Sequence, residues 1–401
     1  MATPKLRFKE FHEDWPKTSF QNLFIFKNGI NASKEQYGSG TKFINVLDII
    51  NNPNGITYDS IIGSVQVSQK DIDKNLVNYG DVVFQRSSET REEVGQSNVY
   101  LSKEPVVFGG FVIRGSAQVP YDPLFMNGLL KTDKVRDQIT QLSGGSTRFN
   151  IGQDSLNKVS IFLPSKEEQT KIATFLSVVD EKISQLSQKL HLLSQYKQGM
   201  MQKLFSQQIR FKADDGSEFG EWEEKKLGEI STTFSGGTPK STNKKFYQGT
   251  IPFIKSGEIS QKHTEQFINE LALKESSAKL VKKGDLLYAL YGATSGQVAI
   301  SQIDGAINQA VLCIRSNLNT IYLLNFFLWK KDSILSTYLQ GGQGNLSAAI
   351  LKEIFVPVPC LEEQTKIANF LSAIDQKIDV VSEQLEQAKL WKKGLLQQMF
   401  V

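Results

Sequence analysis

The sequence predicts an α+β protein: two similar globular domains, each followed by a long helix, with the two helices forming an antiparallel coiled coil. Three observations predict it. The segment Leu163 to Phe205 returns as Val358 to Phe400 at a fixed offset of 195, without a gap and with 20 of 43 positions identical. Inside both copies the apolar residues recur with a heptad period. Before each copy lie short strand-like runs, many glycine turns and a predicted helix, a mixture that suggests an α+β domain. A period this long is not a solenoid repeat, which runs at roughly 20–50 residues. The expected division is a first domain over 1–163, a helix over 164–206, a second domain over 207–358 and a helix over 359–401.

The two domains correspond more loosely than the helices. "LRFKEFHEDW" (Leu6 to Trp15) resembles "IRFKADDGSEFGEW" (Ile209 to Trp222) after a short insertion. A strand-like run opened by Gly-Asp follows in each, "GDVVFQRSS" from Gly80 and "GDLLYALYGATSG" from Gly284. A helix is expected from Pro123 to Leu142, before Gly144-Gly145, and another from Ile321 to Gln340, before Gly341-Gly342. Each domain ends in a short apolar strand running into proline, "VSIFLP" and "IFVPVP".

In the first long helix Ile172, Leu176, Val179, Ile183, Leu186, Leu190 and Leu193 step alternately by four and three. The second repeats those steps at Ile367, Leu371, Ile374, Ile378, Val381, Leu385 and Ala388. This is the a/d pattern of a coiled coil, and Gln, Lys, Glu and Ser fill the positions between the seams. Pro164 and Pro359 stand just before the helices, where proline is tolerated. Ser165 is the expected N-cap, with Glu168 completing a capping box, whereas Leu361 leaves the second start less well capped. Equal length and register predict that the helices pack on each other. From Glu167 to Phe205 such a helix extends about 58 Å at 1.5 Å per residue. The chain must travel back before the second helix begins, so an antiparallel pair with a domain at each end is the simplest arrangement. The helices then act as a spacer.

Composition excludes several classes. The 401 residues suffice for two ordinary domains, and the net charge of +4 is too weak to announce nucleic acid by itself. No apolar run approaches the roughly 18 residues of a membrane span, and "MATPKLRFKEF" lacks a signal-peptide core, so the cytoplasm is the expected compartment and no membrane partner is expected. Cys313 and Cys360 lie at no metal-ligand spacing. His12, His191 and His263 are scattered, and no phosphate-loop or dinucleotide fingerprint is present. "NPN" at Asn52 falls short of the Asn-Pro-Pro-aromatic run of an adenine methyltransferase. No catalytic residue and no metal ligand is expected.

Binding residues are easier to find. Between Ile230 and Gly257 there is no acidic residue, while Lys240, Lys244, Lys245 and Lys255 are present. Lysines and backbone amides suit phosphate oxygens; Ser241, Thr242, Asn243 and Ser256 beside them suit phosphates or base edges. "YGATSGQ", with Tyr291, Thr294 and Ser295, and "GGQGNLS", with Gln343 and Asn345, are two further acid-free glycine loops. The first domain offers Arg86, Ser87, Ser88 and Arg91 in "QRSSETR", and Arg148 and Asn150 in "GGSTRFN". Arginine flanked by small hydroxyl residues suits bidentate contact to guanine or phosphate.

The two "P-x-x-EEQTKIA-x-FLS-x-x-D-x-KI" helices, the "GGTPKS…IPFIKSGEI" stretch and "GDLLYALYGATSGQVAI" together resemble the specificity (S) subunits of type I restriction–modification systems. The order domain, helix, domain, helix carries the resemblance over the whole chain. The first domain departs from the pattern, with "QRSSETREEVG" where the second has "YGATSGQ". The resemblance implies two target recognition domains reading the two parts of a bipartite, asymmetric DNA sequence, with the paired helices setting the gap. It implies that two modification subunits dock on the helix region, and that restriction subunits join them. S-adenosylmethionine, ATP and Mg are then expected on those partners and no cofactor on this chain. The rival expectation is a duplicated DNA-binding adaptor or regulator without methyltransferase partners.

Overall fold

The computed structural model describes residues 2–338 and 345–401. The chain forms two compact units, Met1–Ser187 with Glu383–Val401, and Gln188–Ser382. Each long helix therefore contributes one portion to each unit.

In the first unit an antiparallel sheet runs in the order Phe24–Asn28, Val112–Ala117, Val82–Gln85, Ser97–Val99. The second unit repeats it as Ser231–Ser235, Val311–Ser316, Leu286–Ala289, Val298–Ile300. The "GDVVF" and "GDLLY" runs thus become interior strands. Their alternation is split between two cores, because successive side chains point to opposite faces of a sheet. Val82 and Phe84 pack with Phe125 and Ile139, while Val83 packs with Ile44 and Phe108. Leu286 and Tyr288 pack with Tyr322 and Phe326, while Leu287 packs with Ile254 and Ile307. Since both faces are covered, the runs read as continuously apolar rather than alternating. A second sheet in each unit contains one parallel pair, Tyr37–Ile44 with Val107–Phe108 and Ile251–Ile254 with Gly305–Ile307. The strands before proline also form, Ser160–Phe162 pairing with Lys17–Ser19 and Phe355–Val358 with Glu223–Lys226. Mixed sheets and helices make the α+β class plain.

One expected helix is two. The stretch from Pro123 to Leu142 breaks into Pro123–Leu129 and Asp133–Gln141. Thr132 takes an extended ψ of 147°, and its hydroxyl donates to Leu129 O at 2.7 Å, ending one helix and beginning the next. In the second unit the helix is continuous over Thr320–Tyr338, and its expected end at Gln340 lies outside the described residues.

The long helices span Lys166–Phe205 and Leu361–Met399. At 40 residues the first is about 60 Å long. Within each unit the two helix portions run antiparallel. In the first, Ile172 and Leu176 share a core with Leu395 and Met399, and Phe175 meets Trp391 edge-on at 6.1 Å. In the second, Met201, Leu204 and Phe205 share a core with Ile367, Leu371 and Ile374. Two ion pairs repeat the relation at the 195-residue offset: Lys392 with Asp180 in the first unit, and Lys197 with Asp375 at 2.6 Å in the second. Of the seam residues, Ile172, Leu176, Val179, Leu186, Ile367, Leu371, Ile374, Val381 and Leu385 are buried. Ile183, Leu190, Leu193, Ile378 and Ala388 are half-buried.

The start of the first helix differs from expectation. Ser165 Oγ accepts from Glu168 N at 3.3 Å, as an N-cap does. The Glu168 carboxylate, however, does not turn back to close a capping box. It accepts Arg7 Nε and Nη2, both at 2.8 Å, and Trp15 Nε1 at 3.1 Å. Glu363 does the same with Arg210, at 3.0 and 2.8 Å, and with Trp222 at 2.8 Å. The adjacent glutamines also match. Gln169 accepts from Asp122 N at 2.9 Å and donates to Pro164 O at 2.9 Å, and Gln364 accepts from Asn319 N at 2.8 Å and donates to Pro359 O at 2.8 Å. The repeated Glu-Gln pair is therefore a buried latch. It ties the opening segment of each unit and the start of a shorter helix to the long helix.

Candidate nucleic-acid interface

In the first unit, loops distant in sequence meet at one place. The two-residue strands Ser87–Ser88 and Phe149–Asn150 pair antiparallel, with Ser88 opposite Phe149 and Ser87 opposite Asn150. This brings "QRSSETR" and "GGSTRFN" together. Arg86 N donates to Phe111 O at 2.8 Å, Arg86 Nη1 donates to Gly110 O at 3.3 Å, and Arg86 O accepts from Ile151 N at 2.9 Å. The Arg91 guanidinium lies over the Phe149 ring, 5.3 Å from its centroid, an arrangement that favours the cation. Arg86, Arg91, Arg148 and Asn150 are exposed and Ser87 is half-buried. Ser88 is a correction. It is buried and its hydroxyl donates to Glu93 at 2.8 Å, so it braces the loop and is not presented to a ligand.

The second helix of the broken pair fixes this loop from beneath. Arg136 Nη2 donates to Glu92 O at 2.9 Å and to Val94 O at 2.7 Å. Gly95, at φ +66°, lies so close to Ile139 that a Cβ would come within 2.3 Å of its side chain. The second unit repeats the device with Gly296 at φ +79° against Leu335. Only glycine adopts this left-handed conformation at low cost, and at Gly95 a Cβ would also clash with the Ile139 side chain.

In the second unit a shared main-chain frame gathers the candidate residues. Leu290 N donates to Ala310 O and Leu290 O accepts from Leu346 N, at 2.8 and 3.1 Å. These bonds match those of Arg86 to Phe111 and Ile151 in the first unit. They set Tyr291, Asn345 and the Asn308–Ala310 turn side by side. Ile254 and Ile307 are partners in a parallel pair, so Lys255 and Asn308 leave their strands at the same end. Thr238 Oγ1 donates to Gln309 Oε1 at 2.5 Å, bringing the lysine loop to that edge. Lys240, Ser241, Thr242, Lys244, Lys245 and Asn345 are exposed. Asn243, Lys255, Ser256, Tyr291, Thr294 and Ser295 are half-buried.

Several of the half-buried group also have internal duties. Asn243 caps the short 3-10 turn Lys244–Tyr247, accepting from Lys245 N at 3.3 Å. The lysine-rich segment is thus partly helical, and Tyr247 OH folds it back onto Pro239 O at 2.6 Å. Ser295 Oγ donates to Leu290 O at 3.1 Å. Gln343 lies outside the described residues. Sequence reasoning did not single out Phe111, Thr238 and Gln309, though "GGTPKS" contained the threonine. The available signal was the position just after a strand paired in parallel, which spacing alone does not reveal.

Among the described residues no group of three His, Cys, Asp or Glu side chains is placed to hold a metal, and no helix is long and apolar enough to cross a membrane. Exposed cations, amides and hydroxyls at the ends of paired strands are suited to phosphate and base-edge contact.

Comparison with known proteins gives a consistent result. The model of the type I restriction modification DNA specificity domain matches twice, over residues 12–194 and 220–390. A protein of Methanocaldococcus jannaschii provisionally named a type I restriction enzyme specificity subunit is 26% identical over 410 residues, covering 98% of this chain and 94% of that one. The crystal structure of a type I restriction–modification S subunit from M. genitalium superposes with a TM-score of 0.60 at 20% identity, covering 100% of this chain and 99% of that chain. A chain from a structural study of type I assembly and conformational transition gives a TM-score of 0.64 at 16% identity, covering 98% of both. With both halves matched by the family model, this chain belongs to the type I restriction–modification DNA specificity family.

Proposed function

We propose that this chain is the sequence-reading subunit of a type I complex, in which each unit reads one part of a bipartite, asymmetric DNA target. One observation carries the proposal: the two units keep the same main-chain frame around Arg86 and Leu290 while presenting different side chains from it. A shared frame with divergent surface residues is what two readers of different half-sites require. Exposed Lys240, Lys244 and Lys245 supply sequence-independent attraction to phosphate. Arg86, Arg91, Arg148, Asn150, Tyr291 and Asn345 are the candidates for base-edge contact.

On this reading the chemistry sits on partner chains. Two modification subunits carry S-adenosylmethionine and methylate adenine, docking on the repeated long helices, whose two copies offer like surfaces to like partners. Restriction subunits supply ATP- and Mg-dependent cleavage, and the complex works in the cytoplasm. The test is to map methylated adenines in cells expressing the complete system, before and after exchange of residues 15–159 for those of a related chain. One half of the target should change and the other should stay. Loss of both halves in a folded hybrid overturns the modular reading.

A further inference from the structure

The turn that joins the parallel-paired strand to the main sheet is held in the same way in both units. In the first it is Gly109-Gly110-Phe111 and in the second Asn308-Gln309-Ala310. The start of each turn, or the strand residue leading into it, is pressed onto a glycine just after the facing strand. A Cβ on Gly29 would lie 2.3 Å from Gly109 O, and one on Gly236 would lie 1.7 Å from Ile307 O. The opposite side is fixed by Arg86 N on Phe111 O and by Leu290 N on Ala310 O. The backbone has little room to move. What it presents differs between units: Phe111 is 64% exposed, whereas Ala310 is buried and the neighbouring Gln309 is exposed.

We infer that Phe111 and Gln309 are specificity-determining residues, one in each unit, reading base edges of opposite chemical character. This rests on the reading that each unit contacts one half-site. Phe111 follows Gly110, whose carbonyl accepts from the Arg86 guanidinium at 3.3 Å. An apolar ring next to a cation suits a thymine methyl with a neighbouring guanine or phosphate. Gln309 offers a side-chain amide, the group that pairs in bidentate fashion with adenine N6 and N7. Its Oε1 is already steadied by Thr238 Oγ1 at 2.5 Å, which reduces the freedom lost on binding. Exposed apolar and amide groups on a fixed turn carry sequence information that contacts to phosphate do not.

The experiment uses the full chain co-expressed with its modification subunits. Methylation rates are measured on the cognate site and on every single-base-pair variant of it, for Phe111→Ala and Gln309→Ala. Each substitution should lower discrimination roughly tenfold or more at one base pair, in one half-site only, and the two variants should affect different halves. Phe111→Leu and Gln309→Asn replace any Ala variant that no longer methylates the cognate site. Unchanged discrimination at every position, in variants that still methylate it, overturns the inference. A wild-type chain that shows no bipartite target at all overturns instead the function on which the inference rests.

Discussion

A carboxylate taken out of water is tolerated only when it is paired, and Glu168 and Glu363 each meet that condition through an arginine and a tryptophan. Arg7→Ala leaves the buried Glu168 carboxylate held by Trp15 Nε1 without its arginine, so it should cost about 3–5 kcal/mol. Glu168→Gln removes the charge together with the pair and should cost less. Denaturant midpoints compare the two, and equal losses would show that packing rather than charge pairing dominates. The sequence displayed both ingredients, the repeated Glu-Gln and the recurring Arg…Trp, yet left them unconnected. Arg7 and Glu168 are 161 positions apart, and spacing reveals only local partners such as a capping box. A second residue, Lys131, gives a pH dependence. Its ammonium donates to Pro53 O; burial, helped by the nearby Lys392 charge, lowers its pKa to about 8, with Asp180 opposing. The unfolded chain, with an ordinary lysine near 10.4, binds this proton more tightly. The penalty of enclosing the charge is therefore complete below pH 8 and fades as pH rises toward 10.4. Lys131→Met should raise the thermal midpoint most below pH 8, and that gain should shrink above it. A gain that is constant across this range would show that the ammonium titrates normally.

At the scale of elements, what could be read was what is periodic. The heptad steps identified both long helices and a seam that is largely buried. The apolar Gly-Asp runs identified the interior strands of both sheets. The break at Thr132 was not visible, because "LKTD" is compatible with a continuing helix and only the extended ψ marks the interruption. The convergence of the polar loops was also hidden. It depends on strand pairings such as Ser87 with Asn150 and Ile254 with Ile307, which join segments far apart in the chain. The seam makes a direct prediction. Leu186 and Val381 are 5% and 3% exposed, so Leu186→Asp or Val381→Asp places an unpaired charge at a buried position. Each should cost about 3 kcal/mol or more. Hydrogen exchange should accelerate in the two long helices while amides of Val82–Phe84 and Leu286–Tyr288 keep their protection. Equal acceleration in strands and helices would show that the helices have no stability separate from the sheets.

For the whole molecule, the decisive feature is that both long helices belong to both units. The first passes from one to the other at Ser187–Gln188 and the second at Ser382–Glu383. If the units read two half-sites, the expectation is that the length of the two helices shared by both units sets the unread gap. Adding seven residues to both helices at these points keeps every a/d position in register, because the seam repeats each heptad. It adds about 10.5 Å of helix, which matches roughly three base pairs at about 3.4 Å per pair. Adding three or four residues instead would rotate one portion of each seam away from its partner and should abolish methylation. Methylation mapping of the heptad insertion should therefore return the same two half-sites with a gap longer by about three base pairs. The half-sites should persist, because the proposed readers, the loops around Arg86 and Leu290, are untouched by the insertion. An unchanged gap would mean that helix length does not measure DNA, and that the partner subunits fix the spacing.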